Sequence, residues 1–378
     1  MQKTALPHQE LVLSNTSAPL HVVTAIFNPI RYASRYNLYK SFEKYVRDSG
    51  AILTTIECAF GNRPFEVTEA SNPFHIQVRT YEELWIKENL INIAISRLPT
   101  DWEYVAWVDA DVQFARPDWV AETVHQLQHY MFIQMFSDAY DLSPGYRVME
   151  KHMGWAYSVL HRGIPNSHEK PKAHPQHPVH PTHPAHPGHP VHPGHAEPGL
   201  ITGTNTPCYY YQEPGKPGGA AAWYHPGYAW AARREAIDGV GGLMDFPILG
   251  AGDHHMAWSL IGEAKRTMPS NINHNYKRLV YQWQENALET IHRDIGYMSG
   301  SLLHYWHGNK ADRRYKDRWE ILIDNDYDPL VDIKRDNQGL LALTKHNHKL
   351  RDGIREYFRF RNEDSIDLSH DAKDKLDR

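Results

Sequence analysis

The sequence predicts an α/β fold: a mostly parallel sheet with helices on both faces. Short β-rich apolar runs alternate with stretches whose apolar residues fall at helical spacing, which is the pattern of strand–helix–strand units. The runs are apolar almost throughout rather than alternating, as expected of strands buried on both sides. At 378 residues the chain can bury such a sheet as one large domain or as two lobes.

The elements follow in order. His21 to Phe27 is a β-branched apolar run closed by Asn28-Pro29, which predicts a buried strand entering a loop. Arg35 to Asp48 carries Leu38, Phe42, Tyr45 and Val46 near helical spacing, with Gly50 as its stop. Ala51 to Cys58 and Phe74 to Val78 read as the second and third strands. Leu84 to Arg97 reads as a helix ending before Pro99, and Tyr104 to Val108 as the fourth strand. Asp109-Ala110-Asp111 follows that strand directly. A helix over Pro117 to Tyr130 and a strand over Met131 to Phe136 complete a first half, residues 18–150.

From His174 to His195, eight histidines recur at every third position, mostly as His-Pro-x. Proline removes backbone donors and few apolar side chains remain, so this tract favours polyproline II geometry and cannot form a packed core. It reads as a surface insertion within residues 165–200, with metal scavenging as the functional alternative. A Gly/Pro/Tyr-rich loop over Pro207 to Gly219 opens the second half, residues 201–320. There Met256 to Ile261 reads as a helix and Leu302 to Trp306 as a strand. Residues 321–378 form a charged, mostly helical extension.

Bulk composition narrows the function. A formal net charge of -5 excludes a generally basic surface for nucleic acid. Two cysteines, Cys58 and Cys208, are too few for a disulfide framework or a cysteine zinc cluster. Met1 to Pro19 lacks the apolar stretch of a signal peptide, and no run approaches the ~20 apolar residues that span a bilayer. The expectation is a soluble protein of a reducing compartment with no membrane partner: cytoplasmic in a bacterium, or in the host cell if phage or viral. Nothing in the sequence fixes its oligomeric state.

Asp109 and Asp111 are the central signal. Two carboxylates separated by one residue at a strand end project toward the same open edge of the sheet, where open α/β folds place ligands. One can ligate a hard cation such as Mn²⁺ or Mg²⁺ while the other reaches it through water or holds a ribose hydroxyl. His304 and His307 are three apart, with Gly308 permitting a bend that lets both imidazoles meet one ion. Lys310 and Arg313 or Arg314 then supply counter-charge to phosphates, and Lys87, on the helix before the Asp strand, points the same way. Asp253, after Gly250-Ala251-Gly252, reads either as a helix N-cap or as a general base for an acceptor hydroxyl. Trp223, Tyr224, Tyr228 and Trp230 are candidates for stacking on a sugar acceptor, or core.

This order of motifs resembles the GT-A glycosyltransferase superfamily from about His21 to Arg318, and within it the β-1,4-galactosyltransferase-like enzymes. Asp109-x-Asp111 matches the superfamily's D-x-D. Lys87 to Asn92 resembles the R-x-K-x-x-x-N helix that precedes it. Gly241-Gly242 with Gly250 to Asp253 resembles the G-G…W-G-x-E-D acceptor region, but without its Trp and Glu. His304 and His307 match the late metal-ligand position. The resemblance implies a GT-A (Rossmann-like) fold, a nucleotide-base pocket at Phe27, Asn28, Pro29 and Arg31, and an acid against the base at Glu57. It also implies a UDP- or GDP-sugar donor with Mn²⁺ or Mg²⁺, and transfer to a hydroxyl acceptor on a glycan, a small molecule or a modified nucleobase. If Asp253 is the base, transfer inverts the anomeric centre. The alternatives are a non-catalytic sugar-binding protein on the same scaffold and a D-x-D phosphohydrolase, although in the latter the aspartates normally follow the first strand.

Overall fold

A computed structural model of the chain describes residues 18–163, 224–315, 317–344 and 346–368. The His-Pro tract, the Pro207 to Gly219 loop, Cys208 and Trp223 lie outside the described residues. The first half runs β1 (Leu20–Phe27), α1 (Ala33–Asp48), β2 (Ile52–Phe60), β3 (His75–Thr80), α2 (Lys87–Ile95), β4 (Tyr104–Val108), β5 (Val112–Phe114), α3 (Trp119–Leu127), β6 (Phe132–Gln134), β7 (Asp138–Leu142), β8 (Val148–Gly154) and α4 (Trp155–Arg162). The rest comprises β9 (Tyr224–His225), β10 (Ala229–Arg233), α5 (Arg234–Val240), α6 (Gly252–Ser259), α7 (His274–Thr290), β11 (Ile295–Tyr297), β12 (Ser301–His304), α8 (Asp317–Asp324), β13 (Ile333–Arg335), β14 (Leu341–Leu343) and α9 (His348–Phe360).

The central sheet has seven strands in the order β11-β6-β10-β4-β1-β2-β3. All neighbouring pairs are parallel except those made by β10, which runs antiparallel to both β4 and β6. The fold is therefore a mixed α/β arrangement with a large, mostly parallel sheet flanked by helices, as the sequence predicts. Strand β4 shows why it is apolar throughout. Val105 and Trp107 enter one core, with Trp155, Trp230 and Trp258. Tyr104, Ala106 and Val108 enter the other, with Trp119 and Phe136. Strands β10 and β11 pair with β4 and β6, so sequence from both sides of residues 164–223 is woven into one sheet.

A second sheet of five strands, β5-β12-β7-β8-β9, was not expected from the sequence. Its strands are short and carry polar or charged residues, among them Asp138, Asp141, Glu150 and His152, so they lack the apolar signature of the first sheet. Its position matters, because β5 follows the aspartates by one residue and pairs antiparallel with β12, placing Val112 beside His304.

The segment read as a C-terminal extension is part of the body. Helix α9 packs Phe358 against Trp85, rings stacked with centroids 6.4 Å apart. Beyond it Glu363, 1% exposed, receives Arg35 of α1 and Arg361. Against the burial that would raise it, these guanidinium groups hold the Glu363 carboxyl well below the usual range. Glu363→Gln leaves two arginines without their shared anion, so it is expected to cost about 3–5 kcal/mol, read by urea unfolding.

Candidate functional site

The carboxyl ends of β1 and β4 open on a cavity of about 220 Å³. Among the residues lining it are Phe27, Arg35, Lys87, Glu88, Asp109, Asp111, His152, His225, Tyr228, Asp253, His304, His307, Lys310, Arg313, Arg318 and Arg361. Backbone hydrogen bonds fix the floor. The Asp109 N–H donates to the Tyr228 carbonyl at 2.9 Å, and the Tyr305 N–H donates to the Asp111 carbonyl at 2.8 Å. The second bond, with the β5–β12 pairing, carries the histidine turn over the aspartates.

Asp111, His304 and His307 form one cluster able to hold a metal ion. Asp111 Oδ2 lies 3.1 Å from His307 Nε2 and 4.0 Å from His304 Nε2, and the two Nε2 atoms are 3.1 Å apart. The other carboxylate oxygen, Asp111 Oδ1, is buried without a hydrogen-bond partner. Burial and the neighbouring Arg313 push His307 well below the usual imidazole range, and its Nε2 accepts from Arg313 Nη2 at 3.0 Å, a hydrogen bond that a metal ion at that atom would displace. Behind the cluster, Asp141 Oδ1 contacts His304 Nδ1 at 2.6 Å and accepts from Tyr228 Oη at 2.9 Å, turning His304 Nε2 toward Asp111. The donor set of one carboxylate and two imidazoles, with an orphaned oxygen among them, fits a divalent cation.

The other residues singled out by sequence are placed as follows. Asp109 lines the cavity, but its Oδ1 accepts from Lys87 Nζ at 3.1 Å and it stands outside the three-residue cluster. Burial raises its carboxyl, and Lys87 opposes that rise. Lys87 is thus turned to Asp109, with Glu88 Oε1 at 4.0 Å. Lys310 faces the cavity with its ammonium held by Asp141, by Glu150 Oε2 at 3.0 Å and beside His152 Nε2 at 3.0 Å. This lysine stands among the one other group of potential metal ligands found among the described residues, Asp141, Glu150 and His152. Arg313 is buried, and it donates to His307 Nε2 at 3.0 Å and to Tyr315 Oη at 3.3 Å. Asp253 sits in the first turn of α6 rather than at its cap, which is Ala251. A Cβ on Gly227 would lie 2.5 Å from Asp253 Oδ2, so only glycine lets the carboxylate approach there. Tyr228 lines the cavity, whereas Tyr224 and Trp230 are core.

Four residues assigned to a nucleotide-base pocket lie elsewhere. Of the first loop only Phe27 reaches the cavity, edge-on to Trp85 at 5.2 Å. Asn28 closes its own turn through both side-chain atoms to Tyr32, and the Pro29 carbonyl accepts from Arg63. Arg31, at φ 69°, is half-exposed and pairs with Glu66. Glu57 is not at a strand end, because β2 continues to Phe60. Its carboxylate accepts from the N–H groups of Glu66, Val67 and Thr68 and from the Thr68 hydroxyl, which pins that loop.

Sequence reasoning missed Glu88, Arg35, Arg318 and Arg361, all of which line the cavity. Glu88 adjoins Lys87 and was the one with a local signal, a charge on the inward side of an otherwise apolar helix. Arg361 lies on the C-terminal segment with its guanidinium 4.9 Å from the Trp85 ring centre.

No family model matches the chain, and no curated protein does. Among solved structures, the catalytic domain of Drosophila β1,4-galactosyltransferase 7, in complex with xylobiose, is 9% identical at TM-score 0.32, covering 88% of this chain and 97% of that one. A putative nucleotide-diphospho-sugar transferase from Desulfovibrio desulfuricans G20 is 11% identical at TM-score 0.18, covering 34% of this chain and 60% of that one. These are weak likenesses of fold, and the functional reading rests on the cavity instead. No helix among the described residues is long and apolar enough to cross a membrane.

Burial raises the Glu88 carboxyl to about 7, with Lys87 opposing the rise. A carboxyl raised in the fold keeps its proton there while the unfolded chain has lost it, so it destabilises the protein as pH climbs from about 4.5 to 7. Glu88→Gln is therefore expected to stabilise the fold at pH 8 by roughly 1–3 kcal/mol and to give no such gain at pH 4, measured by urea unfolding at both.

Proposed function

We propose that the chain is a metal-dependent glycosyltransferase that moves a sugar from a UDP- or GDP-sugar to a hydroxyl acceptor. The observation that carries this reading is one cavity holding both halves of a metal–diphosphate site. The Asp111–His304–His307 cluster has an orphaned carboxylate oxygen, and beside it Arg313 is a buried guanidinium with no carboxylate partner among the described residues. Arginine keeps its charge at any ordinary pH, and a buried charge is costly unless an anion meets it. A nucleotide diphosphate supplies that anion.

Asp111, His304 and His307 would hold Mn²⁺ or Mg²⁺, which when bound supplies positive charge to the departing diphosphate. Arg313, held by Tyr315 and released from His307 Nε2 once that atom took the ion, would add a guanidinium on the same side. Lys87 keeps the ammonium–carboxylate pair with Asp109 at the end of β4, which leaves Asp109 placed for a sugar or ribose hydroxyl. Asp253 is the base that takes the acceptor hydroxyl proton. The acceptor oxygen then forms its bond to the anomeric carbon as the bond to the phosphate oxygen breaks, and that electron pair leaves with the diphosphate. A single displacement of this kind inverts the anomeric centre.

A thermal-shift panel of UDP-, GDP-, CMP- and dTDP-sugars with and without Mn²⁺ tests the reading. One nucleotide class, UDP or GDP, is expected to raise Tm by several degrees only when the metal is present. Asp111→Asn should remove that shift. Asp253→Asn should retain it while turnover falls at least 100-fold, the scale of lost general-base catalysis. Nucleotide binding indifferent to metal, or turnover indifferent to Asp253, contradicts the corresponding part.

A further inference from the structure

The glycosyl-transfer reading leaves one cavity cation without a role. Arg318, in the first turn of α8, is 9% exposed and lines the cavity. It makes no hydrogen bond and no ion pair among the described residues, and its Nε is buried without a partner. Its guanidinium lies 5.2 Å from the Tyr315 ring centre and 5.8 Å from that of Trp319, contacts that orient the head and offset its charge only in part. The neighbouring cations are accounted for: Arg35 and Arg361 share Glu363, Lys87 has Asp109, and Lys310 has Asp141 and Glu150. A diphosphate held by a divalent ion and Arg313 already has its charge met, so the Arg318 guanidinium calls for a different anion.

Its position says which end of the cavity that anion occupies. A Cβ on Gly250 would lie 3.3 Å from Arg318 Nη1 and 3.7 Å from the Trp85 ring, so the head, the indole and the glycine converge on one point. Gly250 has φ 89° and leads through Ala251, at φ 84°, into Gly252 and Asp253. A Cβ on Gly252 would in turn meet the Glu88 carboxyl at 2.9 Å. This is the turn that carries the proposed base, Asp253. We infer that Arg318, with Trp85 and the 250–252 turn, forms a subsite for an oxyanion on the acceptor sugar, a uronate carboxylate or a sugar phosphate. The guanidinium fork donates two parallel N–H···O bonds to such a group, which a neutral hydroxymethyl cannot match. The inference rests on the transferase reading for the word acceptor and on the cavity alone for the anion.

The test titrates the full-length protein with glucuronate, glucose 6-phosphate and glucose by calorimetry, in parallel with UDP plus Mn²⁺. At least one acidic sugar is expected to bind tenfold or more tightly than glucose. Arg318→Gln should bring that ratio to within about twofold, Arg318→Lys should keep part of it, and Arg31→Gln, outside the cavity, should keep all of it. Equal binding of the three sugars by the unaltered protein, or binding of none, overturns the subsite whether or not the variants fold. Acid preference without nucleotide binding would leave the subsite standing and remove the transferase. Nucleotide binding without acid preference would do the reverse.

Discussion

The structure turns on two half-buried carboxylates held at the end of a strand that is apolar on both faces. Asp109 and Asp111 are partly withdrawn from water, because β4 ends in the middle of the sheet with β1 on one side and β10 on the other. Charge in such a place is tolerated only when paired or liganded. Asp109 is met by Lys87 from α2, the next element upstream. Asp111 is met by imidazoles from β12 and the turn after it, nearly two hundred residues downstream in the chain, and one of its oxygens remains unanswered within the protein.

The second sheet and the C-terminal segment both serve that constraint. Pairing of β5 with β12 brings His304 over Asp111, and β7 beside β12 supplies Asp141 to fix the imidazole's orientation. Lys310 then neutralises Asp141 and Glu150, at the cost of being less free to meet a phosphate. Beside His307, α8, α9 and the residue pair Arg361 and Glu363 close the cavity with guanidinium groups, two of which share a single buried carboxylate. A helical tail in the sequence is a wall of the site in the fold.

How much of this was legible follows from what leaves a local trace. Five strands of the central sheet, β1, β2, β3, β4 and β6, were readable as short β-rich runs, and α1, α2 and α3 from their apolar spacing, whereas β10, β11, α4, α5 and α7 were not read. The aspartate pair was readable as polar residues directly after such a run, and His304 and His307 from their spacing and Gly308. The second sheet was not, since its strands mix charge with apolar residues and take their form from pairing with distant partners. Glu57 misled because a carboxylate near a strand end looks the same whether it faces a ligand or caps a loop; four donors from residues 66–68 decide it. Arg318 and Arg361 were hidden among the many charges of a segment that reads as solvent-facing. Only tertiary packing distinguishes a buried arginine from an exposed one.

The central claim is that a divalent ion sits between Asp111, His304 and His307 with a diphosphate against Arg313. Anomalous diffraction from crystals grown with Mn²⁺ and UDP addresses it without relying on activity. The account predicts one strong manganese peak bonded to Asp111 and both imidazoles, with diphosphate oxygens completing its shell and a hydrogen bond from Arg313. A peak at Asp141, Glu150 and His152 instead, or nucleotide density with no metal beside Asp111, would contradict it.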